Sequence, residues 1–351
     1  MGGASIGNSK WTYSVHLGKE LYTVWKSVCC EVQGSGHKAA GLPCQDKTCK
    51  MVRNGVYVIA LADGAGSARL SHYGAERVVR DASEYLAEHF QECFDCDDGR
   101  KVKKALLGTL LQGLEEEAQR HKCDIRDLAS TLLLAAVNET SFILAHIGDG
   151  VIGFLDGGRL KVASTPDNGE YCNVTTFVTS AEALSSMRLF KGELKDKDAF
   201  VLMSDGTEQS LYHKSSKTLA SVIVRLMHRT TLIDGKTMWF KLEEALESVV
   251  SKRTQDDCSL AILARPSTSL PPLDMLDCRE RQKLYGMTES GRRMLKRTER
   301  YDAILAIVKE PSSLEQIARG IHLKPKYARK HVDKLVSQGL IVKRASLYQR
   351  C

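Results

Sequence analysis

An apolar run that ends abruptly in Asp-Gly occurs three times in this chain. Val58-Ile59-Ala60-Leu61-Ala62 leads into Asp63-Gly64, Leu144-Ala145-His146-Ile147-Gly148 into Asp149-Gly150, and Phe200-Val201-Leu202-Met203-Ser204 into Asp205-Gly206. A carboxylate pair, Asp256-Asp257, stands just before a further strand-like run, Cys258 to Ala264. Short runs rich in β-branched and other apolar residues, bounded by glycine, read as buried strands. Each therefore delivers an acid at the end of a buried strand. One Asp-Gly alone is an ordinary turn dipeptide. Several acids at the ends of buried strands are costly unless a cation offsets them, and oxygen ligands of this kind suit a hard divalent ion. Gly64 and Gly66 let the backbone turn sharply after the central strand and leave its carbonyls open to a ligand.

The pattern between these runs predicts the remaining elements. Val24 to Val32 reads as a strand. A loop follows from Gly34 through His37 and Lys38 to Pro43. Asn54-Gly55 is a hairpin turn into the central strand. A helical pattern begins near Ser67 and is clearest from Ala75 to Phe90, and a second helix spans Val102 to Ala118. Ser130 to Asn138, Ser141 to Ile147, Val151 to Leu155 and Leu160 to Ala163 read as successive strands, the last two joined at Asp156-Gly157-Gly158. Val174 to Thr179 and Ala199 to Met203 are further strands, and Leu219 to Met227 and Lys241 to Val250 are helices. Strands and helices come in blocks rather than in strict alternation, which points to an α+β domain of antiparallel sheets.

The length of 351 residues suggests two domains, and Pro266, Pro271 and Pro272 mark a linker. The expected organisation is an extension over residues 1–23, a main domain over 24–265, a linker over 266–278 and a tail domain over 279–351. From Arg279 to Cys351 there are 18 Lys and Arg against 7 Asp and Glu, a net charge of +11; the whole chain carries +7, so residues 1–278 carry −4. An acidic front and a basic tail imply two different jobs. The tail reads as a helix at Tyr301 to Val308, a cap at Ser312-Ser313-Leu314-Glu315 before a short helix ending near Gly320, and a helix from Pro325 to Ser337 with Tyr327, Val332, Leu335 and Val336 on its apolar side. A short strand follows from Leu340. This order resembles a winged helix-turn-helix domain. Lys324, Lys326, Arg329, Lys330 and Lys334 lie on or before the Pro325–Ser337 helix, the recognition helix of such a domain, where they would contact DNA phosphates or a protein partner.

Eleven scattered cysteines, an odd number, fit reduced structural thiols. The N-terminus lacks the charged and apolar regions of a signal peptide, and no apolar run is long enough to span a membrane. The expected location is the cytoplasm, with no membrane partner.

Five motifs in order carry a family resemblance: Cys44-Gln45-Asp46, Leu61-Ala62-Asp63-Gly64, His146-Ile147-Gly148-Asp149, Met203-Ser204-Asp205-Gly206 and Thr254-Gln255-Asp256-Asp257. Over roughly Lys26 to Arg265 the chain resembles the metal-dependent protein phosphatases of the type 2C serine/threonine class. The segment Gly169 to Thr175 is similar to a bacterial branch of that class. The resemblance implies a fold of two packed antiparallel sheets with helices outside. It implies that Asp46, Asp63, Asp205 and Asp256, with the carbonyl of Gly64, surround two Mn²⁺ or Mg²⁺ ions, Asp63 bridging them. Asp149 with Asp205 would hold a third, weaker ion. The implied reaction is hydrolysis of phosphoserine and phosphothreonine in proteins by a water activated between the two ions, a chemistry that two divalent ions about 4 Å apart support and that needs no Cys, Ser or His nucleophile. A phosphoprotein substrate and a cognate kinase follow as partners in signal transduction.

Three departures from the family pattern matter. Ala65 stands where many members carry a histidine that serves as general acid. The loop before Asp46 has no arginine to grip phosphate, which leaves His37 or Lys38 for that task. Gln45 replaces a common glutamate, removing an acidic ligand that acts through water. A second reading makes the chain a DNA-binding or protein-docking regulator whose front domain is a sensor with little turnover; retention of all four core aspartates favours catalysis.

Overall fold

The computed structural model describes residues 25–166, 175–265, 276–287, 292–338, 340–344 and 346–350. The expected extension at residues 1–23, the linker prolines and most of the Gly169–Thr175 segment lie outside the described residues. The chain divides into two compact units, one over Thr23–Pro266 and the other containing Ser267–Cys351.

In the first unit, β1 (Lys26–Val32), α1 (Ser35–Ala40), β2 (Lys47–Arg53) and β3 (Val56–Ala62) precede two long helices, α2 (Ser71–Asp95) and α3 (Gly99–His121). Strands β4 (Leu132–Val137), β5 (Ser141–Ile147), β6 (Val151–Asp156) and β7 (Arg159–Ser164) follow. Then come α4 (Ala183–Ser186), β8 (Arg188–Glu193), β9 (Lys197–Met203), α5 (Asp205–Leu211), the short pair β10 (Tyr212–His213) and β11 (Thr218–Leu219), α6 (Val222–Leu232), α7 (Gly235–Ala245) and β12 (Cys258–Ala264). One sheet has the order β1-β12-β9-β6-β7, the other β2-β3-β4-β5-β8, and every pairing within them is antiparallel.

The apolar runs are explained by burial on both faces. Along β3, Val58, Ala60 and Ala62 pack toward α2 and α3, while Ile59 and Leu61 enter the layer between the sheets. Along β12, Leu260, Ile262 and Ala264 share a core with Ile223, Met227 and Met238 of α6 and α7, while Ala261 and Leu263 point into the same inter-sheet layer. Strand β9 alternates likewise, and its Phe200 lies 5.5 Å from Phe142 and 6.2 Å from Trp25 between ring centroids. The unit is a helix–sheet–sheet–helix sandwich with three apolar layers. Among the described residues no helix is long and apolar enough to cross a membrane.

Several sequence expectations need correction. The 34–43 loop contains the six-residue helix α1, closed by Gly41 at φ 66°. Helix α2 starts at Ser71 rather than near Ser67, because tight turns such as Ala68 N–H to Ala65 O occupy the intervening backbone. No strand forms over the described part of Val174–Thr179: Phe177 N–H bonds the Ser180 hydroxyl in a turn, and Val178 N–H bonds Ser130 O. Leu219 belongs to β11, so α6 begins later and runs on to Leu232. The helix expected at Lys241 starts earlier, at Gly235, where the Asp234 side chain caps it by accepting from Thr237 N–H. A π-helical turn over Leu246–Val250 follows it. Asn54 and Gly55, both at positive φ, make the expected hairpin turn.

The second unit holds α8 (Cys278–Leu284), α9 (Arg292–Ile307), β13 (Ser312–Ser313), α10 (Leu314–Gly320), α11 (Pro325–Ser337), β14 (Ile341–Arg344) and β15 (Leu347–Arg350), its three strands ordered β13-β15-β14. Ser313 and Gln316 form a reciprocal capping box at the start of α10. Tyr285, Tyr301, Ile304, Ile317, Val332, Leu335, Ile341 and Tyr348 build its core. Tyr327, expected on the apolar side of α11, is 55% exposed. It lies a quarter-turn or more from the Ala328–Val332–Leu335 stripe that faces the core.

Candidate active site

Register brings the acids to one end of the sandwich. Lys47 pairs with Ala62, so Asp46 stands opposite Asp63. Met203 pairs with Leu260 on one side and Val151 on the other, so Asp205, Asp256 and the Gly148–Gly150 turn leave the second sheet together. Asp205 opens α5, where the helix N-terminus favours negative charge.

Backbone and side-chain bonds fix each position. Asp63 N–H donates to Thr131 Oγ1 at 2.9 Å, and Thr131 N–H returns a bond to Asp63 O at 2.8 Å. Gly64 N–H bonds Gln45 O at 3.3 Å, and a side chain at Gly64 would collide with Ser71 and with Gln45 O. Thr175 donates its hydroxyl to Asp149 Oδ2 at 2.6 Å. Gly148 takes φ 111° against the Thr131 side chain, a conformation and a closeness that admit only glycine. Buried His146 secures that turn: one ring nitrogen lies 2.8 Å from Ser164 Oγ and the other 2.8 Å from Gly148 O. Burial, with the Arg188 cation beside it, pushes its pKa down to about 3, so the ring is neutral, and Arg188 Nη2 lies 3.1 Å from the nitrogen that faces Gly148 O.

The carboxyls destabilise one another in their ionised form. Asp63 is held well above the usual carboxylate range, first by burial and then by the charges of Asp46, Asp205 and Asp256. Asp46 is pushed up to about 7, first by burial and then by the charges of Asp257 and Asp205. Burial and Asp256 raise Asp205, and Asp149 contributes. Both oxygens of Asp46, Oδ1 of Asp205 and the Ser259 hydroxyl are buried and have no hydrogen-bond partner among the described residues.

As they stand, no three His, Cys, Asp or Glu side chains among the described residues surround a common point. The electrostatics nevertheless place Asp46, Asp63, Asp205 and Asp256 within one another's fields. Mutually repelling oxygens buried without donors are what a divalent cation satisfies, and the all-oxygen donor set fits Mn²⁺ or Mg²⁺.

His37 lies on α1 with Nδ1 2.9 Å from Asp257 Oδ2, and Lys38 beside it is exposed. Ala65 packs with Ala68, Ala129 and Phe177, so position 65 offers an apolar wall and no proton. Sequence reading missed Asp257 as an anchor: it accepts Gly34 N–H at 2.7 Å and Gln45 N–H at 2.5 Å, tying α1 and the start of β2 to the Asp256 segment. Its adjacency to Asp256 was the available signal. Glu208, 2% exposed and one helical turn beyond Asp205, was also missed. Lys324, Lys326, Arg329 and Lys330 are exposed on or before α11 in the second unit, and Lys334 is half-buried there.

A family model described as "Protein phosphatase 2C" matches residues 33–247. "Serine/threonine-protein phosphatase 3" of Escherichia coli (strain K12) is 31% identical over 173 residues, which cover 47% of this chain and 67% of that protein. The solved structure of the S. agalactiae serine/threonine phosphatase is 19% identical with a TM-score of 0.50, covering 69% of this chain and 99% of that one. A structure titled as a bacterial serine phosphatase is 15% identical with a TM-score of 0.49, over 70% of this chain and 99% of that one.

Proposed function

The chain belongs to the protein phosphatase 2C family of serine/threonine phosphatases, and from that premise we propose that it hydrolyses phosphoserine and phosphothreonine in proteins with two Mn²⁺ or Mg²⁺ ions held at the strand ends. The buried, unpartnered oxygens of Asp46 and Asp205 carry this reading. Asp46, Asp63, Asp205 and Asp256 would hold the two ions with the carbonyl of Gly64, Asp63 lying between them, and Asp149 with Asp205 would hold a weaker third. When bound, the ions supply Lewis-acid activation of water and neutralise charge on the phosphoryl oxygens. Thr131 and Asp257 keep the ligand-bearing segments in place. Lys38, exposed at the rim, attracts the substrate phosphate, with His37 braced on Asp257 beside it. Ala65 gives the leaving group no proton, so that task falls to water.

Turnover of a phosphothreonine peptide should require Mn²⁺ or Mg²⁺, stop in excess chelator and survive thiol alkylation. Turnover that persists in chelator would overturn the reading.

The tail, in this proposal, is a winged-helix module that targets or regulates the phosphatase by docking DNA or a protein through Lys324, Lys326, Arg329, Lys330 and Lys334. Its support is the order of α9, α10, α11 and the β14–β15 hairpin, together with its charge. A cognate kinase and a cytoplasmic setting complete the picture.

A further inference from the structure

A polar groove of about 730 Å³ runs beside the acidic cluster, lined by Ser35, Gln209, Lys252, Arg253, Thr254 and Gln255. Its walls are the segments that carry the candidate ligands. Gln255 immediately precedes Asp256, and its carbonyl accepts Gly36 N–H at 2.9 Å, which binds α1 to this wall. Gln209 lies on α5, whose first residue is Asp205. Ser35 opens α1, which bears His37 and Lys38.

The groove reverses the sign of the site it adjoins. The cluster is built of carboxyls, whereas the groove's charged residues are Lys252 and Arg253, both exposed. Among the described residues no ion pair engages either of them. Lys252 also borders a second groove with Glu243, Glu244 and Glu247, which leaves Arg253 as the dominant cation. A guanidinium presents a fork that matches a carboxylate or a phosphate. The remaining lining is hydroxyl and amide, able to donate to the same anion.

We propose that this groove binds an anionic side chain of the phosphoprotein, within a few residues of the phosphorylated one, and so selects phosphosites in acidic sequence. The proposal rests on the phosphatase reading above. An extended peptide advances about 3.3 Å per residue, so a substrate whose phosphate is held at the strand ends lays its neighbouring residues along this wall. The anion is a carboxylate or a second phosphate, which share the recognition chemistry. Both cations face water, so the selection is moderate and weakens with salt.

The test uses the full chain and four substrates: phosphothreonine peptides flanked by glutamate, by alanine or by a second phosphoserine, and p-nitrophenyl phosphate. The wild type should favour the glutamate peptide over the alanine peptide by roughly tenfold in kcat/KM, mostly through KM, as expected for two partly screened ion pairs. High salt should shrink that ratio. In Lys252→Glu/Arg253→Glu the ratio should fall to one or invert, and Arg253→Lys should keep part of it. Comparison of the glutamate and phosphoserine peptides tells which anion is preferred. Equal turnover of the glutamate and alanine peptides by the wild type, or a preference that survives the double charge reversal, overturns the proposal. The small ester cannot reach the groove, so its hydrolysis tests the phosphatase reading separately. Anisotropy of the same peptides, labelled, reads the preference in binding whether or not turnover is found.

Discussion

Asp63 concentrates the electrostatic conflict of the site, and a single atom change separates its roles. In Asp63→Asn the shape is kept while a full negative charge is lost from between the two proposed ions. An amide oxygen is a weaker ligand and a poor bridge, so calorimetry should show at least one ion lost and turnover should fall by several orders of magnitude. Asp149→Asn should cost less at saturating metal, because the proposal gives it only the weaker third ion. In chelator the sign reverses. Asp46, pushed up to about 7 by burial and its neighbours, and Asp63, held well above the usual carboxylate range by burial and the surrounding carboxylates, bind protons more tightly folded than unfolded, where a carboxyl titrates near 3.8. The Asp46 contribution to stability is complete below that value and lost as pH rises through about 7, and the Asp63 contribution is lost in the same direction. His146 works oppositely. Lowered from 6.5 to about 3, it contributes above 6.5 and loses that contribution as pH falls toward 3. The metal-free wild type should therefore melt lower at pH 8 than at mildly acidic pH. Asp63→Asn should raise Tm at pH 8, on the order of 2–4 °C for each kcal/mol of repulsion relieved, with the gap closing as the carboxyls protonate at lower pH. A Tm gap that does not change with pH, or a variant with wild-type turnover and metal content, would reduce the central strand end to a turn.

Among the elements, α11 offers the clearest separation of surface from core. Ala328, Val332 and Leu335 face inward, while Lys326, Lys330 and Arg329 face water. Charge reversal at Lys326 and Lys330 should leave Tm nearly unchanged, since exposed charges contribute little. If the tail binds duplex DNA, the intact chain should do so with affinity falling steeply as salt rises, and the reversal should abolish it. Absence of binding even at low salt leaves protein docking. The elements also show what a sequence can and cannot disclose. Strand β12 was legible to the residue because burial on both faces makes six of its seven residues apolar, Ser259 being the exception. Strand β8 was invisible: it is an edge strand whose residues are at most half-buried, with Lys191 reaching the Phe94 carbonyl at the end of α2. Among the candidate ligands, Asp63, Asp149 and Asp205 stood out because each ends an apolar run, and Asp256 because its carboxylate pair stands just before one; Asp46 borders no such run and came only from the family resemblance. Thr131, Thr175 and the anchoring role of Asp257 were not legible, because their partners lie 68, 26 and 223 residues away and only the strand register brings them together.

For the whole molecule, the consequence is a position at which the chain can be divided. The first unit owns three large apolar clusters and a small one around Ala65, and the second owns one built from its own residues. The cut must fall after Arg265, not before it. Arg265 N–H bonds Asp198 O at 2.9 Å, its Nε lies 3.1 Å from Asp198 Oδ1, its Nη2 donates to Lys195 O at 2.6 Å, and its guanidinium sits 5.5 Å from the Trp25 ring centroid. It therefore pins the end of β12 to the turn before β9. A chain ending at Arg265 should unfold cooperatively and hydrolyse p-nitrophenyl phosphate at the rate of the full chain. One ending at Ala264 loses these bonds and should be destabilised by about 1–3 kcal/mol. One ending at Asp257 loses β12, which lies between β1 and β9 and supplies residues to two of the three apolar layers, and it should not fold. Chemical denaturation of the three chains measures the order. An Arg265-terminated chain that is insoluble while the full chain is stable would mean that the tail is integral to the phosphatase fold, and the two-domain division would fail.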